Sequence, residues 1–200
     1  MSLTAGVVAV QGDVREHADA IGRAAAAHGE SVDVRRIRKA GVVPACDLLA
    51  MPGGESTTIS RLLHRQGIDR EIHGHVEAGK PLLATCAGLI VAARDARDDR
   101  VRPLGLLDVA VDRNAFGRQK DSFETSLPVA GLAEPFPAVF IRAPAIAEVG
   151  AGVDVLAEYD GRPVAVRQGP VLGTAFHPEL TTDGRIHDLA FFGRTAPRVE

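Results

Sequence analysis

The sequence predicts an α/β protein with a mostly parallel central sheet, helices on both faces of that sheet and antiparallel additions in the second half. In the first half, short apolar runs alternate with segments of helical periodicity. In the second half, short strand-like runs are joined by turns. No repeat, low-complexity tract or long linker interrupts the 200 residues. We therefore expect a single domain over residues 1–200.

The elements of the first half begin with a buried strand at residues 6–10, GVVAV. Asp13 is suited to cap the helix that follows, and Gly29 is suited to end it. Further elements are predicted from the same patterns, with strands at 31–37, 47–51 and 81–85 and helices at 57–66, 69–78 and 87–94.

The second half is predicted to be rich in short strands. They lie at 106–114, 122–130, 138–143, 153–160 and 163–176, the last forming a hairpin about Gly169, and a helix at 183–194 follows. In open α/β sheets, ligands bind beyond the carboxyl ends of the strands. Gly53, Gly54, Cys86 and His177 all follow such ends. This edge is where we expect the chemistry.

Composition limits the partners of the chain. With 26 acidic and 23 basic side chains, its net charge of -3 predicts neither nucleic-acid nor anionic-membrane binding. The start of the chain has no cationic segment followed by a long apolar run, and the two cysteines, Cys46 and Cys86, are expected to be free thiols. A cytoplasmic location is therefore expected.

Cys86 has two interpretations. It follows a strand and precedes a helix in the stretch Thr85-Cys86-Ala87-Gly88, where a helix N-terminus would lower the pKa of a nucleophilic thiol. A free cysteine in an apolar segment is, on the other hand, commonly a buried hydrophobic residue. Cys46 has no such turn and is interpreted as structural.

His177 and Glu179 form a candidate base and orienting carboxylate. They are two residues apart, so an extended backbone directs both side chains to the same face, and Pro178 favours that geometry. The same residues could form only a polar turn. The other histidines lie on predicted helices or at their ends and are predicted to be solvated, at positions 17, 28, 64, 73, 75 and 187. The spacing of His73 and His75 does not fit a helical metal pair, so no metal site is predicted.

The third candidate feature is the stretch 51-MPGGESTTI-59. A glycine pair after a strand lets the backbone direct an N–H group toward a developing oxyanion, and Glu55 and Ser56 could hold a charged substrate end. Such a pair is also a common turn, and it lacks the lysine of a phosphate-binding loop.

The motifs PGGEST, TCAGL and FHPEL, in this order, resemble a class I, triad-type glutamine amidotransferase of flavodoxin-like fold. More narrowly, the sequence resembles the family of glutaminase subunits of pyridoxal 5'-phosphate synthase. That narrower resemblance is carried by 8-VAVQGDVREH-17, 52-PGGESTT-58, 113-RNAFGRQKDSFE-124, 140-FIRAP-144 and 176-FHPELT-181.

The resemblance implies a role for each matching residue. Cys86 would be the nucleophile, His177 the base and Glu179 the orienting carboxylate. Backbone N–H groups of Ala87 and the Gly53-Gly54 loop would stabilise the oxyanion, and the residues that bind L-glutamine would be Gly54, Glu55, Ser56, Arg113, Ile141 and Arg142. Gln11 would lie near the oxyanion loop and the partner interface. Residue 84 is alanine where the family usually has glycine, which removes no reacting group.

The resemblance also implies a partner. A synthase (lyase) subunit would use the ammonia to make pyridoxal 5'-phosphate in a large hetero-oligomer, and this chain would need no cofactor of its own. Three alternatives stay open: a glutaminase that supplies another pathway, such as histidine biosynthesis; a cysteine hydrolase or chaperone of the flavodoxin-like superfamily; and an inactive module that only binds and regulates a synthase.

Overall fold

The computed structural model describes residues 2–12, 14–113 and 122–193. Its helices and strands are, in chain order, β1 (Ser2–Val8), α1 (Val14–Ala27), β2 (Ser31–Ile37), β3 (Leu48–Met51), α2 (Ser56–Gln66), α3 (Ile68–Glu77), β4 (Leu82–Thr85), α4 (Ala87–Ala92), β5 (Ala93–Asp95), β6 (Leu107–Asp112), β7 (Phe123–Leu127), β8 (Phe136–Phe140), β9 (Ala145–Val149), β10 (Asp154–Tyr159), β11 (Arg162–Gln168), β12 (Val171–Thr174) and α5 (Arg185–Phe191). Short 3₁₀ turns lie at Val43–Ala45 and Pro178–Leu180.

A seven-stranded sheet in the order β10-β11-β12-β4-β3-β1-β2 forms the centre of the molecule. The pairs from β12 to β2 are parallel, whereas β11 and β10 join antiparallel. The crossovers β1–α1–β2 and β3–α2–α3–β4 run in opposite directions along the sheet. Because such crossovers are right-handed, their helices lie on opposite faces. The predicted fold class is confirmed.

Burial explains why the central strands read as continuous apolar runs. Every residue of β3, β4 and β12 is buried, as expected for strands covered by helices on both faces. The parallel strands end at a common edge, so Gln11, Pro52, Cys86 and Ala175 follow neighbouring strand ends. The fold thus brings four separate parts of the sequence to one edge of the sheet.

Two smaller sheets extend the second half, and here the sequence-based boundaries were partly wrong. The order β5-β6-β9 forms one sheet and β7-β8 the other. The helix predicted over 87–94 ends at Ala92, because Ala93–Asp95 pairs with β6 as a strand. Strand β9 was not predicted. The hairpin about Gly169 is confirmed, and the φ of 54° at Gly169 explains the need for glycine.

Two predicted features lie outside the described residues. One is Asp13, the expected cap of α1, and the other is most of the RNAFGRQKDSFE motif, at 114–121. The helix predicted over 183–194 is described from Arg185 to Phe191.

The small sheet β7–β8 supports the strand end that carries His177. Phe140 and Phe136 pack with ring centroids 5.6 and 5.8 Å from Phe176, and all three rings are buried. The backbone N–H of His177 donates to the carbonyl oxygen of Val139 at 2.8 Å. His177 is thereby anchored to strand β8 as well as to the central sheet.

The two outer strands of the central sheet are polar or irregular. In β2, the exposed side chains include Asp33, Arg35 and Arg36. At the other edge, β10 pairs with β11 through two register shifts. Among the described helices, none has the length and apolar character needed to cross a bilayer.

Candidate active site

Cys86 occupies the sharp turn between β4 and α4. Its backbone has φ 50° and ψ −108°, a conformation that residues other than glycine rarely adopt and that costs about 1–3 kcal/mol. The N–H of Cys86 donates to the carbonyl oxygen of Thr174 at 2.8 Å, which fixes the turn to β12. Cys86 is 8% exposed, and its Sγ lies 4.0 Å from the carbonyl oxygen of Ile141. A thiol held on such a turn at a strand end is placed for nucleophilic attack.

His177 and Glu179 form a buried hydrogen-bonded pair. The Nδ1 of His177 lies 2.7 Å from Oε1 of Glu179, and the residues are 5% and 3% exposed. Pro178 starts the 3₁₀ turn that follows, and His177 itself stays out of the helical region, with φ −105° and ψ 86°. A carboxylate on Nδ1 leaves the other ring nitrogen available for the thiol.

The charge state of His177 depends on both neighbours. Burial alone would lower the pKa of His177, but the hydrogen bonds and charges of Cys86 and Glu179 outweigh it and raise the pKa to about 10. Burial also opposes ionisation of Glu179, yet the charges of His17 and His177 and the hydrogen bond from His177 keep its pKa below the ordinary value. At neutral pH, His177 is therefore a protonated imidazolium held between the Cys86 side chain and the Glu179 carboxylate.

The Gly53-Gly54 loop, called the glycine loop below, follows β3 and packs directly on His177 and Cys86. A Cβ at Gly53 would lie 2.7 Å from Cε1 of His177 and 3.4 Å from Cβ of Cys86. A Cβ at Gly12 would lie 2.1 Å from the carbonyl oxygen of Gly53, so this oxygen faces Gly12. Since N–H and C=O oppose each other across a trans peptide, the N–H of Gly54 is directed away from Gly12.

Gln11 holds the other end of the loop. Its Oε1 accepts a hydrogen bond from the N–H of Glu55 at 2.9 Å, and its side chain packs against Gly54, whose φ is 137°. The segment that follows β1 is therefore joined to the Gly53-Gly54 loop by a hydrogen bond and by packing.

Glu55 caps helix α2 and contacts Arg113. Its carboxylate accepts from the hydroxyl of Thr57 and from the N–H groups of Thr57 and Thr58. These hydrogen bonds, that of the Thr57 hydroxyl first, lower the pKa of Glu55 to about 2. Arg113 donates to Glu55 at 3.2 Å and also to Asp98. The ionised Glu55 carboxylate is suited to bind an ammonium group, and the neighbouring Arg113 guanidinium is suited to bind a carboxylate.

The remaining predicted binding residues differ in exposure. Ser56 is 2% exposed, and its Oγ has no hydrogen-bond partner among the described residues. Ile141 presents its carbonyl oxygen to Cys86, whereas the side chain of Arg142 is exposed and its backbone has φ 43°. Ala87 is buried at the first turn of α4, directly after the thiol.

The prediction that the other histidines are solvated was wrong for three of them. His17 and His187 are fully buried, and His75 is 5% exposed. His17 lies three residues after Val14 and four before Ile21, so helical spacing places it on the buried face of α1. That spacing was a readable signal of its burial. In the described residues, no three His, Cys, Asp or Glu side chains are arranged to hold a metal ion.

Cys46 differs from Cys86 in its surroundings. It is fully buried, its Sγ donates to the carbonyl oxygen of Val42 at 3.4 Å, and burial raises the pKa of its thiol. These properties agree with a structural role.

A cysteine on a strand–helix turn beside a buried histidine–carboxylate pair defines the class of triad-type cysteine hydrolases. The chain matches the SNO glutamine amidotransferase family over residues 7–195, and it belongs to that family. The resemblance identified from the sequence motifs is confirmed.

Two relatives illustrate the similarity. The chain is 73% identical over 195 residues to "Pyridoxal 5'-phosphate synthase subunit PdxT" of Halobacterium salinarum, which covers 98% of this chain and 96% of the relative. It is 54% identical over 184 residues to the protein of the same name from Methanothrix thermoacetophila, which covers 92% of this chain and 96% of the relative.

Solved structures agree with the fold. A crystal structure of a glutamine amidotransferase is 46% identical, with a TM-score of 0.82 over 92% of this chain and 94% of the other. The structure of PurLQS from Thermotoga maritima, at 19% identity, has a TM-score of 0.65 over 93% of this chain and 92% of the other, and it shares the fold alone.

Proposed function

We propose that this chain hydrolyses glutamine to glutamate and ammonia and delivers the ammonia to a synthase subunit that makes pyridoxal 5'-phosphate. The observation that carries the proposal is the Cys86 turn beside the buried His177–Glu179 pair, in a chain of the SNO glutamine amidotransferase family. The product is supported by relatives that are named as subunits of pyridoxal 5'-phosphate synthase and that match nearly the whole chain.

The first half of the reaction forms a thioester. The Cys86 thiolate attacks the side-chain amide carbon of glutamine, and the carbonyl oxygen becomes an oxyanion. The His177 imidazolium then gives its proton to the nitrogen that leaves as ammonia, so the C–N bond breaks and the imidazole becomes neutral. The raised pKa of His177 supports this role, because the ring is protonated when the substrate arrives.

The second half restores the enzyme. Neutral His177 takes a proton from water, the hydroxide adds to the thioester carbon, and the C–S bond breaks to give glutamate and the Cys86 thiolate. Glu179 stabilises the imidazolium in both halves through its 2.7 Å contact with Nδ1.

Six residues are proposed to hold the substrate. Glu55 would receive the ammonium group and Arg113 the carboxylate of glutamine, since the two groups lie side by side with opposite charges. The other proposed contacts are Gly54, Ser56, Ile141 and Arg142, and the uncompensated Oγ of Ser56 supports its inclusion.

The oxyanion is proposed to be stabilised by the N–H of Ala87 and by the Gly53-Gly54 loop. We further propose that the chain alone has low activity and that docking of the synthase activates it by reorienting this loop. The position of Gln11 supports the proposal, because its hydrogen bond to Glu55 couples the end of β1 to the loop.

A partner is chemically useful because free ammonia in neutral water is mostly protonated and no longer a nucleophile. We propose that the synthase receives ammonia along a closed path within a large hetero-oligomer. A cytoplasmic location is proposed from the two free thiols, which a reducing compartment preserves.

The decisive experiment measures glutamate release from glutamine by the purified chain, with and without a synthase subunit from the same source. We expect release to rise with the synthase and to vanish in Cys86→Ala. Equal release with and without the synthase would overturn partner activation. If neither the unsubstituted chain nor Cys86→Ala releases glutamate, yet both bind the synthase, the chain is a regulatory module instead.

A further inference from the structure

Behind the proposed triad lies a chain of buried polar side chains that the mechanism above does not use. His17 lies on α1, and its Nδ1 is 3.1 Å from the Nε2 of His187 on α5. Its other nitrogen, Nε2, lies 3.2 Å from Oγ1 of Thr85 and 3.5 Å from Oε2 of Glu179. His17, His187 and Thr85 are all fully buried. His17 thus contacts both the residue before Cys86 and the carboxylate of the His177–Glu179 pair.

The position of the protons follows from the hydrogen-bonding needs of His187. Its pKa lies well below the ordinary value, because burial and the neighbouring charges of His17 and Arg23 disfavour its charged form, so it is neutral. Its Nδ1 has no hydrogen-bond partner among the described residues. A buried N–H without an acceptor is rarer than a buried acceptor without a donor. The proton of His187 therefore lies on Nε2 and is donated to His17.

This assignment fixes which nitrogen of His17 donates toward Glu179. If His17 is neutral and accepts at Nδ1, its own proton lies on Nε2, facing Glu179 and Thr85. If His17 is charged, both nitrogens carry protons. In both forms, Nε2 presents a donor to the carboxylate.

The carboxylate needs such a donor. Oε1 of Glu179 accepts from His177, whereas the buried Oε2 accepts no regular hydrogen bond from the described residues. His17 Nε2, at 3.5 Å, is the donor group that faces it. The terminal torsion of a glutamate is soft, so one contact does not fix the plane of the carboxylate. The position of His177 depends on that plane.

We propose that His17 is a positioning residue of this site: its Nε2–H, oriented by His187, holds the Glu179 carboxylate in the plane that keeps His177 aimed at Cys86. The inference rests on the proposed glutaminase function and adds to it a residue that touches neither substrate nor reacting atoms. It makes α1 and α5 parts of the catalytic arrangement rather than only of the core.

The test compares His17→Gln with His17→Asn. The amide nitrogen of glutamine reaches the position of imidazole Nε2, whereas that of asparagine reaches only the position of Nδ1. In the complex with the synthase, we expect kcat of His17→Gln to stay within about threefold of the unsubstituted value and kcat of His17→Asn to fall by about tenfold or more, the rate equivalent of one hydrogen bond to a charged group. KM for glutamine is expected to stay unchanged in both.

His75 supplies the matched control. It is also a buried helical histidine, with Nε2 at 3.1 Å from the carbonyl oxygen of Pro81, and no described contact joins it to the triad. His75→Gln and His75→Asn are expected to have equal kcat. Equal kcat for the two His17 variants, or a change confined to KM or to thermal stability, would overturn the proposal.

A second readout separates this inference from the glutaminase function. The rate at which iodoacetamide alkylates Cys86, followed by peptide mass spectrometry to distinguish it from Cys46, reports on the triad without turnover. Slower alkylation in His17→Asn but not in His17→Gln supports the inference even if the unsubstituted complex releases no glutamate, and equal rates overturn it.

If His17→Asn does not fold, a comparison of His187→Leu with His187→Gln replaces it. Only His187→Gln keeps a donor to His17, so the same difference in kcat and in alkylation rate is expected between these two variants.

Discussion

Gly53 sets how closely the backbone approaches His177 and Cys86. A Cβ at this position would lie 2.7 Å from Cε1 of His177, a distance that real Cβ contacts do not reach, so either the His177 ring or the Gly53-Gly54 loop must move. We expect Gly53→Ala to lower kcat by up to about 100-fold, because misplacement of a catalytic group by about 1 Å has an effect of that size. Glutamate release in the presence of the synthase measures it.

Gly74 on α3 is the matched control for this substitution. A Cβ there meets nothing within 4 Å, so Gly74→Ala should leave kcat unchanged and stabilise the protein by about 0.5–1 kcal/mol. A native kcat in Gly53→Ala would show that the loop does not rest on His177 in solution.

Single residues also show what the sequence could and could not predict. Cys86, His177 and Glu179 were identifiable because strand ends and short motifs are local signals, and the structure brings them to one edge. The contact between His17 and Glu179 was not, because it depends on how α1 packs against the 3₁₀ turn at Pro178–Leu180. Helical spacing indicates that a residue is buried, but not what it meets.

Helix α2 begins at a cap whose charge can be tested by pH. Glu55 accepts from the N–H groups of Thr57 and Thr58 at 3.2 and 2.8 Å, and we expect Glu55→Ala to lower the free energy of unfolding by about 1 kcal/mol at neutral pH. The pKa of Glu55 is lowered from 4.5 to about 2, first by the hydrogen bond from the Thr57 hydroxyl. The contribution is therefore present above pH 4.5 and is lost as the pH falls through about 2.

The check is the free energy of unfolding in urea, measured for the native chain and for Glu55→Ala from neutral pH down to about pH 2. Glu77→Ala is the control, because it removes an exposed carboxylate at the end of α3, where no helix N-terminus needs a cap. A difference between native and Glu55→Ala that persists unchanged at pH 2 would contradict the role of the charged cap.

Among the elements, the parallel half of the fold was more predictable than the rest. Strands β3 and β4 and helices α2 and α3 lie within one residue of the predicted bounds, because buried strands and amphipathic helices leave strong periodic signals. Strand β9 and the early end of α4 were missed. Strand β5, which follows the early end of α4, and strand β9 are both defined by pairing with β6. Such long-range contacts are not encoded in the local sequence.

One apolar core joins the described parts of the chain. Its cluster of buried residues runs from Ala5 in β1 to Phe191 in α5 and includes Leu107 of the three-stranded sheet and Phe140 of the two-stranded sheet. We therefore propose a single domain and expect one cooperative urea transition. Far-UV circular dichroism and the accessibility of Cys46 to a thiol reagent should have the same midpoint, and two separate midpoints would indicate two domains.

The charged and irregular outer strands have a consequence for how the molecule behaves in a crowded solution. An unpaired strand is a template on which another chain can add, and this is a common route to fibrous aggregates. On β2, an added strand would have to desolvate the exposed charged side chains of Asp33, Arg35 and Arg36, of which Asp33 and Arg35 form an ion pair at 3.1 Å. At the other edge, the shifted register of β10 removes a flat template. Growth by strand addition is thereby discouraged at either edge, and association is left to the loops and helices.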